Sequence, residues 1–200
     1  MKKILLLTTI ICTVAFAHAQ EEESDNIQTF FSKPSKIRGY FGPTTSFTSL
    51  DGESAYMNGF NAAAIFNDHV VFGFYNVNLE NNIFSNNDNY IGYEMDFEHR
   101  GLMLGYIFMP KSKIHFITNV LLGKGEINIY DDIIDTWLED DVMFVLTPNV
   151  EVEFNVARFL RVGIGANYRF ALDVDKFDNY NNNDFSDLGA FVNLKFGWFR

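Results

Sequence analysis

Cysteine, proline and histidine are scarce: the 200 residues hold one Cys, four Pro and four His. Cys12 has no second thiol to pair with, so an internal disulfide is excluded. A lipoprotein signal would need a small residue before that cysteine, and Ile11 is bulky. His18, His69, His99 and His115 show neither H-E-x-x-H nor any other metal-ligand spacing. Basic residues are also few, 15 Lys and Arg against 26 Asp and Glu, for a net charge of −11. That balance argues against nucleic acid as a partner, because phosphate binding needs clustered cations. Beyond the first residues no run of 18 apolar side chains occurs, so a transmembrane helix is not expected.

The chain starts MKKILLLTTIICTVAFAHAQ. Lys2 and Lys3, the apolar stretch Ile4 to Phe16, and Ala17-His18-Ala19 have the three parts of a cleavable export signal. The expected division is a signal peptide over 1–19, a polar tail over 20–35 in the periplasm, and one β-domain over 36–200. Phe numbers 22 and aromatics make up 16% of the chain, which suits a barrel with apolar side chains on its outside.

Alternation with period two dominates from residue 36. In 142–156 the even positions Val142, Phe144, Leu146, Val150, Val152 and Phe154 are apolar, and Glu151 and Glu153 stand between them. In 160–172 Leu160, Val162, Ile164, Ala166, Tyr168, Phe170 and Leu172 share one face, with Arg161, Gly163, Gly165, Asn167 and Arg169 on the other. The last strand, 187–199, puts Leu188, Ala190, Val192, Leu194, Phe196 and Trp198 on one face and Asn193 and Lys195 on the other. Such strands separate two environments. Less regular strands are expected near 36–48, 54–66, 70–80, 91–109 and 114–130. The fourth changes pattern midway, from Glu94, Asp96, Glu98 and Arg100 to Leu102, Leu104, Tyr106 and Phe108 on the same phase; a bulge near His99–Gly101 would reconcile them. In 114–130 Lys124, Glu126 and Asn128 are expected to face inward, and Leu121, Ile127 and Ile129 outward.

Eight strands with tight turns at 67–69, 110–113 and 157–159 and long loops at 81–89, 131–141 and 173–184 predict an all-β fold: an eight-stranded, up-and-down, antiparallel transmembrane β-barrel. Closure leaves no unpaired edge. An eight-stranded lumen is filled by side chains, so its charges must interleave. The expected lumen network is Lys124, Glu126, Glu151, Glu153, Arg161, Arg169 and Lys195. Tyr106, Phe108, Phe170 and Trp198 are expected at the interfaces. Candidate surface-contact residues are Asp131, Asp132, Trp137, Asp140 and Asp141 in one acidic loop and Asp173, Asp175 and Asp178 in another.

The signal, Arg38-Gly39-Tyr40-Phe41-Gly42-Pro43, the stretch Phe159 to Arg169, and the closing Phe196-Gly197-Trp198-Phe199 resemble small outer-membrane barrels of the OmpA/OmpX-like type found in Bacteroidota. Arg200 departs from the common aromatic ending. The resemblance implies outer-membrane lipid and the barrel-assembly machinery as partners, with an extracellular partner through the acidic loops. It implies no cofactor or metal. Barrel enzymes acting on lipid A carry a His-x-Ser pair; here the triplets are His99-Arg100-Gly101 and His115-Phe116-Ile117. The expected role is therefore non-enzymatic, in envelope structure or surface contact. The alternatives are a narrow pore or small-solute transporter, a lipid-modifying enzyme, and a soluble periplasmic lipocalin-like barrel with its apolar faces inside.

Overall fold

A computed structural model describes residues 36–131, 136–174 and 180–199. The expected signal and tail lie outside the described residues. Eight long strands and one short one follow in chain order. They are β1 (Ile37–Leu50), β2 (Glu53–Phe66), β3 (Val70–Leu79), β4 (Ile83–Phe84), β5 (Glu94–Phe108), β6 (Ile114–Asp131), β7 (Thr136–Asn155), β8 (Leu160–Leu172) and β9 (Asp187–Gly197). Each long strand runs antiparallel to its neighbours; β1 pairs with β9, and β3 pairs with β5, so the sheet closes on itself. This is the expected eight-stranded barrel; β4 is an extra two-residue strand on the edge of β5.

The turns divide the barrel into two rims. Residues 67–69, 109–113 and 156–159 make the short-turn rim. The other rim carries the two-residue turn Asp51-Gly52, with φ of 50° and 79°, and the longer connections 80–93 and 173–186. Asn81 replaces a missing strand partner there: its amide oxygen accepts from Tyr56 N at 2.7 Å and its amide nitrogen donates to Ser54 O at 2.9 Å. Pairing lapses beside Pro43 on the β1–β9 seam and beside Pro148 between β7 and β8, where proline has no N–H to give.

Where side chains are described, even positions on β5 to β9 point outward and odd positions inward. Leu102, Leu104, Tyr106, Phe108, Phe116, Val120, Leu122, Val142, Phe144, Ile164, Phe170 and Phe196 are among the large exposed hydrophobics of a continuous belt. The soluble lipocalin-like alternative needs these side chains inside, and they are outside.

Above the belt, toward the long-loop rim, the two environments exchange. On β5, Met95, Phe97 and His99 are buried while Asp96 and Arg100 are exposed. On β6, Gly125, Ile127 and Ile129 are buried and Lys124 is exposed. The β5–β6 register is continuous from Glu94↔Tyr130 to Phe108↔Phe116, so the expected bulge at His99–Gly101 does not exist. The strand keeps its phase; it passes from an apolar to a wet exterior, and the polarity of its two faces reverses. A register shift lies instead at Ile129/Tyr130, opposite Glu139 and Trp137. For the same reason Ile127 and Ile129 are inside, not outside, and with Leu50, Met57, Met95, Met143 and Phe185 they make an apolar upper lumen. Leu121 is buried too, within the belt. Each large side chain fully buried there contributes roughly 1.5–3 kcal/mol. The expected loop 131–141 is mostly strand, with Asp131 ending β6 and Trp137, Asp140 and Asp141 inside β7.

The β1–β9 seam is closely packed. A Cβ on Gly42 would stand 1.7 Å from the carbonyl oxygen of Leu194. Gly42→Ala is expected to lower stability by about 2–3 kcal/mol, read as a lower urea midpoint for detergent-refolded protein. An unchanged midpoint would mean the seam relaxes freely.

Candidate functional site

The lower lumen, at belt height near the short-turn rim, holds a buried ion network. Five neighbouring strands build it. Period two on β7 points Glu151 and Glu153 inward one above the other. Arg161 enters from β8, Lys195 from β9, His115 from β6 and Tyr40 from β1, each no more than 7% exposed. Arg161 and Lys195 are direct cross-strand partners, so two cations stand side by side. The carboxylates hold them there. Glu153 Oε1 accepts from Arg161 Nη1 at 2.9 Å and lies 2.6 Å from His115 Nε2. Lys195 Nζ donates to Glu153 Oε2 at 2.6 Å and to Glu151 at 2.9 Å.

Small and aromatic neighbours shape the space. Gly163 lies opposite Glu153 in the register, and a Cβ there would come within 1.6 Å of Glu151 Oε1. Phe199 covers Arg161, whose guanidinium carbon is 3.9 Å from the ring centre. The Lys195 ammonium stands 5.3 Å from the Tyr40 ring centre. These contacts replace the hydration that the cations lose on burial.

Above the network lies a cavity of about 50 Å³, bordered by Asn61, Asn119, Thr147 and Asn193. His99 reaches it from β5, with Nδ1 3.4 Å from the Tyr75 hydroxyl. Arg169 is inside the barrel but apart from the network. Its Nε donates to Phe185 O at 2.8 Å and its Nη2 to Ser49 O at 2.7 Å, so it ties the 173–186 connection to the top of β1.

Five of the seven residues expected in the lumen, Glu151, Glu153, Arg161, Arg169 and Lys195, are buried inside the barrel. Lys124 and Glu126 are not: they pair with each other on the outer face, where Glu126 also meets Arg100 at 3.3 Å. They sit above the belt, where even positions face water. Of the acidic candidates, Asp140 and Asp173 are exposed. Asp141 points inward and is fully buried, its Oδ1 accepting from Val142 N at 2.7 Å, so it offers no surface contact. Asp132, Asp175 and Asp178 lie outside the described residues, and Asp131 and Trp137 are placed by backbone alone. Sequence reasoning missed His115, Tyr40 and Phe199. His115 shares the odd phase of β6, so a correct phase for that strand would have found it.

Both carboxylates are engaged by cations, and no Ser, Thr or Cys nucleophile is hydrogen-bonded to His115 among the described residues. Among those residues no group of three or more His, Cys, Asp or Glu could hold a metal ion. The network does suit the filling and bracing of a narrow lumen.

Removing Glu153 would leave Arg161 and Lys195 with one carboxylate between them. Glu153→Ala is expected to lower the unfolding free energy by about 3–5 kcal/mol. Lys124→Ala, on the outer face, should change it by less than about 1 kcal/mol. Urea unfolding of both variants in the same detergent checks this, and equal losses would show that the network does not brace the barrel.

No family model matches the chain, and no curated protein matches it. Solved structures do. Neisserial surface protein A is similar with a TM-score of 0.58 at 15% identity, over 80% of this chain and 97% of that one. Ail, the attachment invasion locus protein of Yersinia pestis, gives 0.53 at 12% identity, over 83% of this chain and 100% of that one. The N-terminal β-barrel domain of Pseudomonas aeruginosa OprF gives 0.51 at 10% identity, over 80% of this chain and 97% of that one. At these identities the likeness is one of fold.

Proposed function

We propose that the protein is an outer-membrane β-barrel with a non-enzymatic role, envelope structure with surface contact through the long-loop rim. The observation that carries this reading is the belt. A closed barrel with large apolar side chains outside and buried charges inside is matched to hydrocarbon around it. Along β6 the belt runs from Ile114 to Leu122, about 27 Å at the usual strand rise. At a tilt of roughly 40° that is a height of about 20 Å, close to the roughly 25 Å of a membrane band. Trp198, 83% exposed, and Phe159 stand at the short-turn end, where interfacial aromatics belong. The likeness in fold to a bacterial surface protein and to Ail is consistent with this location.

In this reading the short turns face the periplasm and the long-loop rim faces outward. That rim is tied together. The Tyr180 hydroxyl donates to Asp51 Oδ2 at 3.0 Å and lies 2.6 Å from Ser85 Oγ. Asn86 N donates to the same Asp51 oxygen at 2.9 Å, and Asp51 N to Asp184 O at 2.8 Å. Burial pushes the Tyr180 phenol up from its ordinary value and keeps its proton available to donate. Three connections thus converge on Asp51 beneath an acidic outer surface, which offers a shaped face to a partner. The pore reading is disfavoured by the same interior: the ion network and the apolar upper lumen fill the path. Lipid, and the barrel-assembly machinery during insertion, are the partners this role requires.

Envelope fractionation of the native host tests the location. The expected result is recovery in the outer membrane, with faster gel migration unheated than boiled; recovery in the soluble periplasm would sink the reading. In planar bilayers no steady conductance is expected, and a stable open current would revive the pore. Tyr180→Phe should speed proteolytic nicking of the 173–186 connection several-fold and leave the gel shift intact. Unchanged nicking would mean the rim does not depend on this hydroxyl.

A further inference from the structure

The short-turn end of the barrel opens into a concave mouth of about 560 Å³, bordered by Lys36, Arg38, Asp68, Lys111, Arg158 and Arg161. Five of these are cations and one is a carboxylate, in a chain whose net charge is −11. Apart from Asp68, the described acids of the connecting segments lie at the opposite rim, as Asp51, Asp88, Asp173 and Asp184 show.

The counter-charges nearby are already engaged. Asp68 pairs with Arg38 at 2.9 Å. Glu153 takes Arg161 from the lumen side. Among the described residues no carboxylate pairs with Lys36, Lys111 or Arg158. Arg38 Nε and Arg161 Nε are closed off from solvent and have no acceptor, and Arg161 is only 4% exposed. Donors in that state carry an unmet desolvation cost, and like charges around one concavity repel. A multiply charged oxyanion would relieve that repulsion, and guanidinium forks match phosphate oxygens better than a point charge does. The cations come from β1 and the residue before it, from β8 and from two separate turns, so they surround a seat rather than line one strand. The space also leaves room for whatever body carries the phosphate.

We propose that this mouth is a binding site for a phosphate-class anion, free or borne on a lipid headgroup. The site stands on its own geometry and does not require the surface-contact role to be right.

The test uses the full chain refolded into nanodiscs of zwitterionic lipid, titrated calorimetrically with pyrophosphate. One saturable site is expected. The double variant Arg38→Gln/Lys111→Gln should weaken it at least tenfold, and Lys124→Gln, a cation on the outer wall near the other rim, should leave it unchanged. Arg158→Gln serves as a second probe if the double variant loses its gel shift. Repeating the titration with phosphatidylglycerol in the disc separates the sources. A fall in pyrophosphate affinity there assigns the seat to a headgroup, and an unchanged affinity assigns it to a soluble phosphate compound. Absence of saturable binding, equal affinity in the mouth variants, or full displacement by chloride at matched ionic strength would overturn the proposal.

Discussion

The pairings of β1 with β9 and β3 with β5 remove the last two edges of the sheet, and the rest of the molecule follows from that closure. A closed sheet satisfies its backbone internally, so it can face a medium that offers no hydrogen bonds. It also divides space into an inside and an outside for every strand at once. A side chain can escape neither; it can only move along the axis. The chain must therefore choose, at each height, which face is dry.

That choice explains where the sequence was legible. β7, β8 and β9 lie largely at belt height, so their even apolar and odd polar positions read directly as outside and inside. Glu151, Glu153, Arg161 and Lys195 could be placed together from alternation alone. β5 and β6 run above the belt, and there the exterior is wet. Glu94, Asp96, Glu98 and Arg100 keep the phase of Leu102 and Leu104 because both sets face outward into different surroundings. Alternation records contrast between two faces and not which face is which. A bulge was therefore the natural inference from sequence, and Lys124 and Glu126 fell on the wrong side of the wall for the same reason. His115 was lost with them, since the phase of its strand was inverted. The mouth escaped notice because its residues come from turns and chain ends that only the closed fold brings together.

The two halves of the lumen solve one problem by different means. Above the belt the wall is wet outside, so the interior can be apolar and stable in the ordinary way of a soluble core. At belt height an apolar interior would leave the strand apolar on both faces, with nothing to tell inside from outside. Polar side chains inside restore the contrast, and ionised ones make it strongest. Their desolvation is offset by pairing, by the Phe199 and Tyr40 rings, and by the room that Gly163 leaves for Glu151.

A buried ion network is weak evidence for stability when compared with a well-packed apolar core of the same shape. Its value here is in the alternatives it penalises. A one-residue slip of β8 against β7 would turn every β8 side chain over. Arg161 and Arg169 would then face outward near the two ends of the belt, where each would cost up to about 1 kcal/mol at a bilayer interface. Glu151 and Glu153 would be left inside with only Lys195 and His115 to answer them. The correct register brings Arg161 beside Lys195 and both beneath the two carboxylates. The network therefore selects the register that closes the barrel, and closure in turn creates the dry interior in which the network is worth having.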